Sequence, residues 1–197
     1  MKVKNREIAK VISINGINSV IQKYGADAKF MLDDKVIQSI DPAETCFGFT
    51  VHSHMVPPFR PEKTLMLGYG AGTVPELMRK IWGSGIKIVG VDKEIETKYI
   101  EFEMKQIDGY EYVKYCADSD IKLKFDYICV DLWEGSKVMD FIFESAFASR
   151  LKEICKEMLC INCPTESFKN MRAYYDYGFK FLRHVNIGGN TVSWWMV

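Results

Sequence analysis

The stretch Lys63-Thr64-Leu65-Met66-Leu67-Gly68-Tyr69-Gly70-Ala71-Gly72-Thr73 decides how the rest of the chain is read. Lys63–Leu67 has the apolar character of a buried strand and runs straight into three glycines. A helical pattern follows, from about Val74 to Trp82. Glycines at such a junction let backbone approach a ligand where side chains would block it, and the helix N-terminus offers N–H groups to an anion. A merely tight strand-to-helix turn would use the same residues, so the spacing must carry the reading.

A dinucleotide fingerprint places its third glycine at position 73, which is Thr73 here; the glycines fall at 68, 70 and 72. That GxGxG form resembles the nucleoside loop of S-adenosylmethionine (SAM) enzymes. The next strand, Ile86–Val91, ends in Asp92, about twenty residues beyond Gly72. A carboxylate there can accept both hydroxyls of a ribose. Two more acids close strands: Asp108 before Gly109, opening a helix, and Asp131 after Phe125–Val130. In open α/β sheets ligands lie beyond the carboxyl ends of the strands, so the loop, Asp92, Asp108 and Asp131 are expected on one rim.

Strands and helices alternate from Lys63 onward, which predicts an α/β fold with a mostly parallel sheet covered by helices. Met158–Asn162 is a further strand, between helices expected at 136–156 and 166–177. Phe179–Val185 and Thr191–Val197 form a closing hairpin. Before Lys63 the texture differs. Ile8–Ile14, Asn18–Tyr24, Ala28–Leu32 and Val36–Ile40 are short, alternating and divided by Asn-Gly or Asp-rich turns, which predicts an antiparallel hairpin unit. Asp41-Pro42-Ala43-Glu44 has the pattern of a helix start, and that helix should run to about Met55. The division is therefore 1–56 for the hairpin unit and helix, and 57–197 for the nucleoside-binding domain.

Composition bounds the function. The 197 residues carry 26 Lys+Arg against 26 Asp+Glu, so the basic excess expected of a phosphate-tracking nucleic-acid binder is missing. No apolar run approaches the ~20 residues of a membrane span. Lys2, Lys4, Arg6, Glu7 and Lys10 interrupt any signal-peptide core, so the expected location is the cytoplasm. The six cysteines then read as reduced core residues, and the lone Cys160–Cys163 CxxC supplies two of the four ligands a structural zinc needs. No metal site is expected. Neither GxSxG nor a Walker lysine is present, so hydrolase and nucleotidase readings have no support.

With these residues in place, the chain resembles a short, divergent member of the spermidine synthase (polyamine aminopropyltransferase) family. Its C-terminal part resembles the Rossmann-like core of a class I SAM-dependent methyltransferase. The resemblance runs from about Asn18 to Cys160. Phe30-Met31-Leu32-Asp33 with Val36-Ile37-Gln38-Ser39 is similar to the family's "LDG…Q" hairpin with one residue inserted. Glu44 followed by Phe47 stands where the family has Glu and Tyr, and Asp108-Gly109 and Asp131–Glu134 match its "DG" and "DSSDP" segments.

The resemblance implies that Gly68, Tyr69, Gly70, Ala71, Gly72, Gln38, Asp92, Asp108 and Gly109 hold the adenosyl donor, with Asp108 near the adenine. It implies that Asp131 orients and deprotonates an attacking acceptor such as an amine, with Glu134 in support. The family normally has Asp where this chain has Ala71, and in aminopropyltransferases that Asp holds the amine of decarboxylated SAM. Ala71 therefore admits SAM itself. The expected function is that of a SAM-binding transferase, first a methyltransferase acting on a small molecule. An aminopropyltransferase using decarboxylated SAM is the alternative, and a non-catalytic nucleoside-binding domain is the third reading.

Other residues carry weaker signals. His52 and His54, two apart in the expected helix, do not share a face and read as a surface helix end. Trp133 and Tyr69 flank the expected site as wall or packing residues. Trp194-Trp195 and Met196 read as alternating core and surface positions, with one Trp available to a homodimer interface. Cys163, beside the rim, has no neighbour in sequence that would lower its pKa.

Overall fold

The computed structural model describes residues 51–70, 72–94, 102–120 and 123–197, and before them the backbone of four strands. These are β1 (Glu7–Ile14), β2 (Ile17–Tyr24), β3 (Asp27–Leu32) and β4 (Lys35–Ser39). They form an antiparallel meander in the order β1-β2-β3-β4. The short turns between alternating segments allow only neighbour-to-neighbour pairing.

The second sheet has seven strands: β5 (Lys63–Leu67), β6 (Lys87–Asp92), β7 (Glu103–Gln106), β8 (Phe125–Val130), β11 (Cys155–Pro164), β12 (Lys180–Ile187) and β13 (Asn190–Met196). Between β8 and β11 lies a two-stranded hairpin, β9 (Trp133–Glu134) and β10 (Lys137–Val138). The large sheet runs β12-β13-β11-β8-β5-β6-β7. Strands β11, β8, β5, β6 and β7 are mutually parallel, while β13 lies antiparallel between β11 and β12. The chain leaves β5 toward β6 on one side and returns to β8 on the other, so a crevice opens beyond the ends of β5 and β8.

The sheet separates two apolar layers. Leu65, Leu67, Val91, Ile128, Val130, Leu159 and Trp195 face the layer that contains α2 (Gly109–Asp118) and α3 (Ser145–Ile154). Met66, Tyr127, Cys129, Cys160 and Trp194 face the other, with α1 (Thr73–Trp82). Strand side chains alternate faces, so Trp194 and Trp195 go to opposite layers. Both are buried and only Met196 is exposed, so neither tryptophan is a surface residue.

Three expectations change. The helix expected over 41–55 lies mostly outside the described residues, and its last part, His52–Met55, is a single 3-10 turn. The helix expected over 136–156 is three elements: the end of the β9–β10 hairpin, a 3-10 turn over Asp140–Phe143, and α3. Cys155 and Lys156 already belong to β11, which enters with an irregular register against β8. The helix expected over 166–177 is a 3-10 stretch, Thr165–Asn170, followed by α4 (Arg172–Asp176).

Candidate active site

The glycine loop is held by its neighbours before any ligand is considered. Gly68 has φ +81°, and a Cβ there would stand 2.0 Å from the Asp131 carbonyl oxygen, so only glycine lets β5 end against β8. The N–H groups of Gly68 and Tyr69 both donate to the Val91 carbonyl, at 2.9 and 3.2 Å. The Tyr69 ring turns down into the core, 4 % exposed, beneath Gly72 and beside Gly90. A Cβ on Gly90 would stand 2.4 Å from that ring. Burial pushes the Tyr69 phenol up to about 12. Tyr69 therefore supports the loop from below, and its backbone, not its ring, faces the crevice.

Gly70 donates its N–H to Asp92 Oδ2 at 2.8 Å, tying the loop to the end of β6. Glu94 N–H donates to Asp92 Oδ1 at 3.3 Å. Burial, the largest influence, raises the Asp92 carboxyl above its usual value, and the N–H groups of Gly70, Glu94 and Lys93 offset this only in part. An ionised carboxylate has about four acceptor positions, so beside these N–H groups it keeps capacity for a ribose hydroxyl. Gly72, at φ +79°, is the N-cap of α1 and supplies no side-chain hydrogen bond to it. Ala71 lies outside the described residues.

Asp108 is the N-cap of α2, with Oδ1 accepting from the N–H groups of Tyr110 and Glu111 at 2.8 and 3.3 Å. Its Oδ2 pairs with Lys93 Nζ at 3.2 Å. Ile107 N–H donates to the Asp92 carbonyl, which brings the two acids' strand ends together. A Cβ on Gly109 would meet Leu132 at 2.8 Å, so α2 starts in contact with the segment just after Asp131.

Asp131 extends β8, its N–H donating to the Leu67 carbonyl at 2.8 Å. Its Oδ1 accepts from Trp133 Nε1 at 2.8 Å and from Asn162 Nδ2 at 2.9 Å. Trp133 thus helps to fix the orientation of the Asp131 carboxylate. Glu134 is exposed at the end of β9, opposite Lys137, and shares no hydrogen bond with Asp131 among the described residues. Gln38 is on β4 opposite Phe30, and its side chain lies outside the described residues.

Two further residues act on Asp131: Asn162, which the sequence did not single out, and His52, which it read as a surface helix end. Asn162 is 4 % exposed, and its own Oδ1 has no partner among the described residues. A polar residue inside the apolar run Leu159-Cys160-Ile161-Asn162-Cys163 was the available signal. His52 is the second. Burial lowers its pKa, and the Asp131 charge, acting against burial, draws it partly back. The imidazole is thus held toward its neutral form, within electrostatic reach of Asp131. Its turn is fixed from below, where the buried Tyr127 hydroxyl donates to the Met55 carbonyl.

The remaining candidates fall elsewhere. Cys160 and Cys163 point into opposite layers of the sheet. Burial pushes the Cys163 thiol up to about 12, away from nucleophilic reactivity. No group of three or more His, Cys, Asp or Glu among the described residues is arranged to hold a metal ion. No described helix is long and apolar enough to cross a membrane.

No protein-family model and no curated protein matches this sequence. Solved structures do match. A spermidine synthase in complex with the transition-state analogue AdoDATO superposes with a TM-score of 0.64 at 13% identity, covering 96% of this chain and 73% of that one. A Streptococcus mutans protein described as a SAM-dependent methyltransferase gives 0.61 at 11% identity, covering all of this chain and 57% of that one. Aeropyrum pernix fibrillarin, crystallised with natively bound SAM, gives 0.55 at 13% identity, covering 96% of this chain and 99% of that one. At such identities the likeness is one of fold, and it agrees with the strand order: the chain has the Rossmann-like fold of class I SAM-dependent methyltransferases.

Proposed function

We propose that this protein is a SAM-binding transferase that moves the methyl group of SAM to a small-molecule acceptor, an amine or a hydroxyl compound. The observation that carries the reading is the tie between Gly70, just past the end of β5, and Asp92 at the end of β6, with Asp131 at the end of β8 on the same rim. The residues fit the donor: Asp92 retains acceptor capacity for a ribose hydroxyl, and the glycine loop leads from the end of β5 into the start of α1. When bound, SAM supplies a methyl group already activated by the sulfonium charge.

The chain's part is then alignment and proton transfer. Asp92 fixes the ribose. Asp108 fixes the start of α2 at the adenine end. Asp131 has one oxygen engaged by Trp133 and Asn162, which leaves the other to receive the acceptor's proton. His52, held toward its neutral form, adds little positive charge that would repel a protonated amine on approach. Glu134, exposed at the mouth, is an outer contact for the acceptor. Ala71 places no carboxylate beside that of SAM.

A second reading is aminopropyl transfer from decarboxylated SAM. The likeness in fold to a spermidine synthase, with a TM-score of 0.64, supports it. Calorimetric titration with SAM, S-adenosylhomocysteine, decarboxylated SAM and methylthioadenosine separates the readings. Tightest binding by the first two supports methyl transfer, and a tenfold preference for decarboxylated SAM supports aminopropyl transfer. Binding without turnover on any acceptor class leaves a nucleoside-binding domain.

A further inference from the structure

The opposite end of the seven-stranded sheet carries a second feature. Strands β5, β6 and β8 begin there, at Lys63, Lys87 and Phe125. Between them opens a cleft of about 600 Å³ whose charged lining is Arg60, Lys63, Lys87 and Lys156, with Glu62 and Asp126. Four cations against two carboxylates stand out in a chain whose net charge is zero.

The Asp126 charge is directed inward. Its Oδ1 accepts from Lys156 Nζ at 2.8 Å, and its Oδ2 accepts from the N–H groups of Lys63 and Glu62 at 2.8 and 3.1 Å. Lys156 is 46 % exposed and has three donors, so its ammonium keeps donors for the cleft. Lys63 Nζ lies 4.8 Å from the centre of the Phe125 ring, which places its charge without neutralising it. Arg60 and Lys87 are exposed, and neither is ion-paired among the described residues. A Cβ on Gly85 would stand 2.7 Å from the Arg60 guanidinium, so the glycine makes the berth in which that fork lies.

We propose that this cleft binds a small molecule bearing a chain of two or more phosphates, such as inorganic pyrophosphate or the phosphates of a nucleotide. An arginine fork and several lysine point charges are the groups that recognise phosphate oxygens. Their spread over a cleft of this volume suits a chain of phosphates better than a single one. The proposal is independent of the glycine loop, which lies at the other end of the strands.

The test is calorimetric titration of the full chain with pyrophosphate and with ATP, at ionic strength held constant with sodium chloride. The variants are Arg60→Glu/Lys87→Glu and the neutral Arg60→Gln/Lys87→Gln, with circular dichroism to check folding. Saturable binding of pyrophosphate is expected, weakened about tenfold or more in both double variants. Equal affinity for ATP and pyrophosphate means that the phosphates alone are read, and tighter ATP means that the cleft also holds the nucleoside. Absence of saturable binding by either compound overturns the proposal, as does binding that persists unchanged in both folded variants.

Discussion

Asn162 and Asp131, on adjacent strands, are joined by a 2.9 Å hydrogen bond in which the buried amide donates to Asp131 Oδ1, the same oxygen that receives Trp133 Nε1. Two donors on one oxygen fix the carboxylate plane and aim the other oxygen away from both. Asp131→Asn keeps this arrangement, because the amide oxygen can accept both bonds, and turns an NH₂ toward the acceptor. Donor affinity should then stay within a few-fold while most turnover is lost, typically 10²–10⁴-fold for a general base. Unchanged turnover would reduce Asp131 to a structural acid.

The same substitution should move His52. Burial holds its imidazole below the usual histidine range, and the Asp131 charge is the influence acting upward. In Asp131→Asn the His52 pKa should fall further, and in the wild type it should already lie below the usual histidine value. Titration of the ring resonances by NMR checks both. A His52 that titrates at 6.5 or above, or that ignores the substitution, contradicts this placement.

Asp92 gives two opposite pH dependences. Its carboxyl is raised by burial, so in the absence of donor its contribution to stability is greatest at low pH and is lost as pH rises through the raised value. Ribose hydroxyls favour the ionised form, so donor affinity should be full above that value and decline as pH falls through it. Asp92→Asn should therefore raise Tm near neutral pH while weakening the donor. Thermal unfolding and calorimetry across pH 4–8 check this pair.

Asp126 behaves in the reverse way. Burial, the largest influence, pushes its carboxyl up, but the Lys156 ammonium and the N–H groups of Lys63 and Glu62 together overcome it and leave the pKa lowered. Its contribution is complete above about pH 4 and is lost as pH falls through the lower folded value. Asp126→Asn should cost about 1–3 kcal/mol at pH 7, by leaving buried donors poorly paired, and less in acid. Urea unfolding at pH 7 and pH 3 measures it.

What was legible in the sequence was local. A strand running into Gly68, Gly70 and Gly72 specifies its own turn, and acids at strand ends follow from where an apolar run stops. The N-terminal meander was legible for the same reason. Residues 136–156 were not. Leu151-Lys152-Glu153-Ile154-Cys155-Lys156-Glu157-Met158 keeps a helical period straight through the point where α3 becomes β11. Only pairing with β8 ends the helix there, and a pairing partner thirty residues away leaves no local mark. His52 was misread similarly: its turn packs against α1 and β11, elements far along the chain that leave no local mark.

Ala71 bears on donor choice. With no carboxylate at this loop position, wild type should bind SAM at least as tightly as decarboxylated SAM. Ala71→Asp should reverse the order, since two close carboxylates in a partly desolvated site cost on the order of 1–3 kcal/mol. Paired titrations on both proteins decide it, and a wild-type preference of tenfold or more for decarboxylated SAM would promote aminopropyl transfer.

The most direct measurement is calorimetric titration of S-adenosylhomocysteine and SAM into wild type and into Asp92→Ala at pH 7.5. The account predicts saturable one-to-one binding to wild type, and a loss of about ten- to a hundredfold in Asp92→Ala as the ribose contacts vanish. No binding of either compound to the folded wild type, or equal affinity in the two proteins, would contradict it.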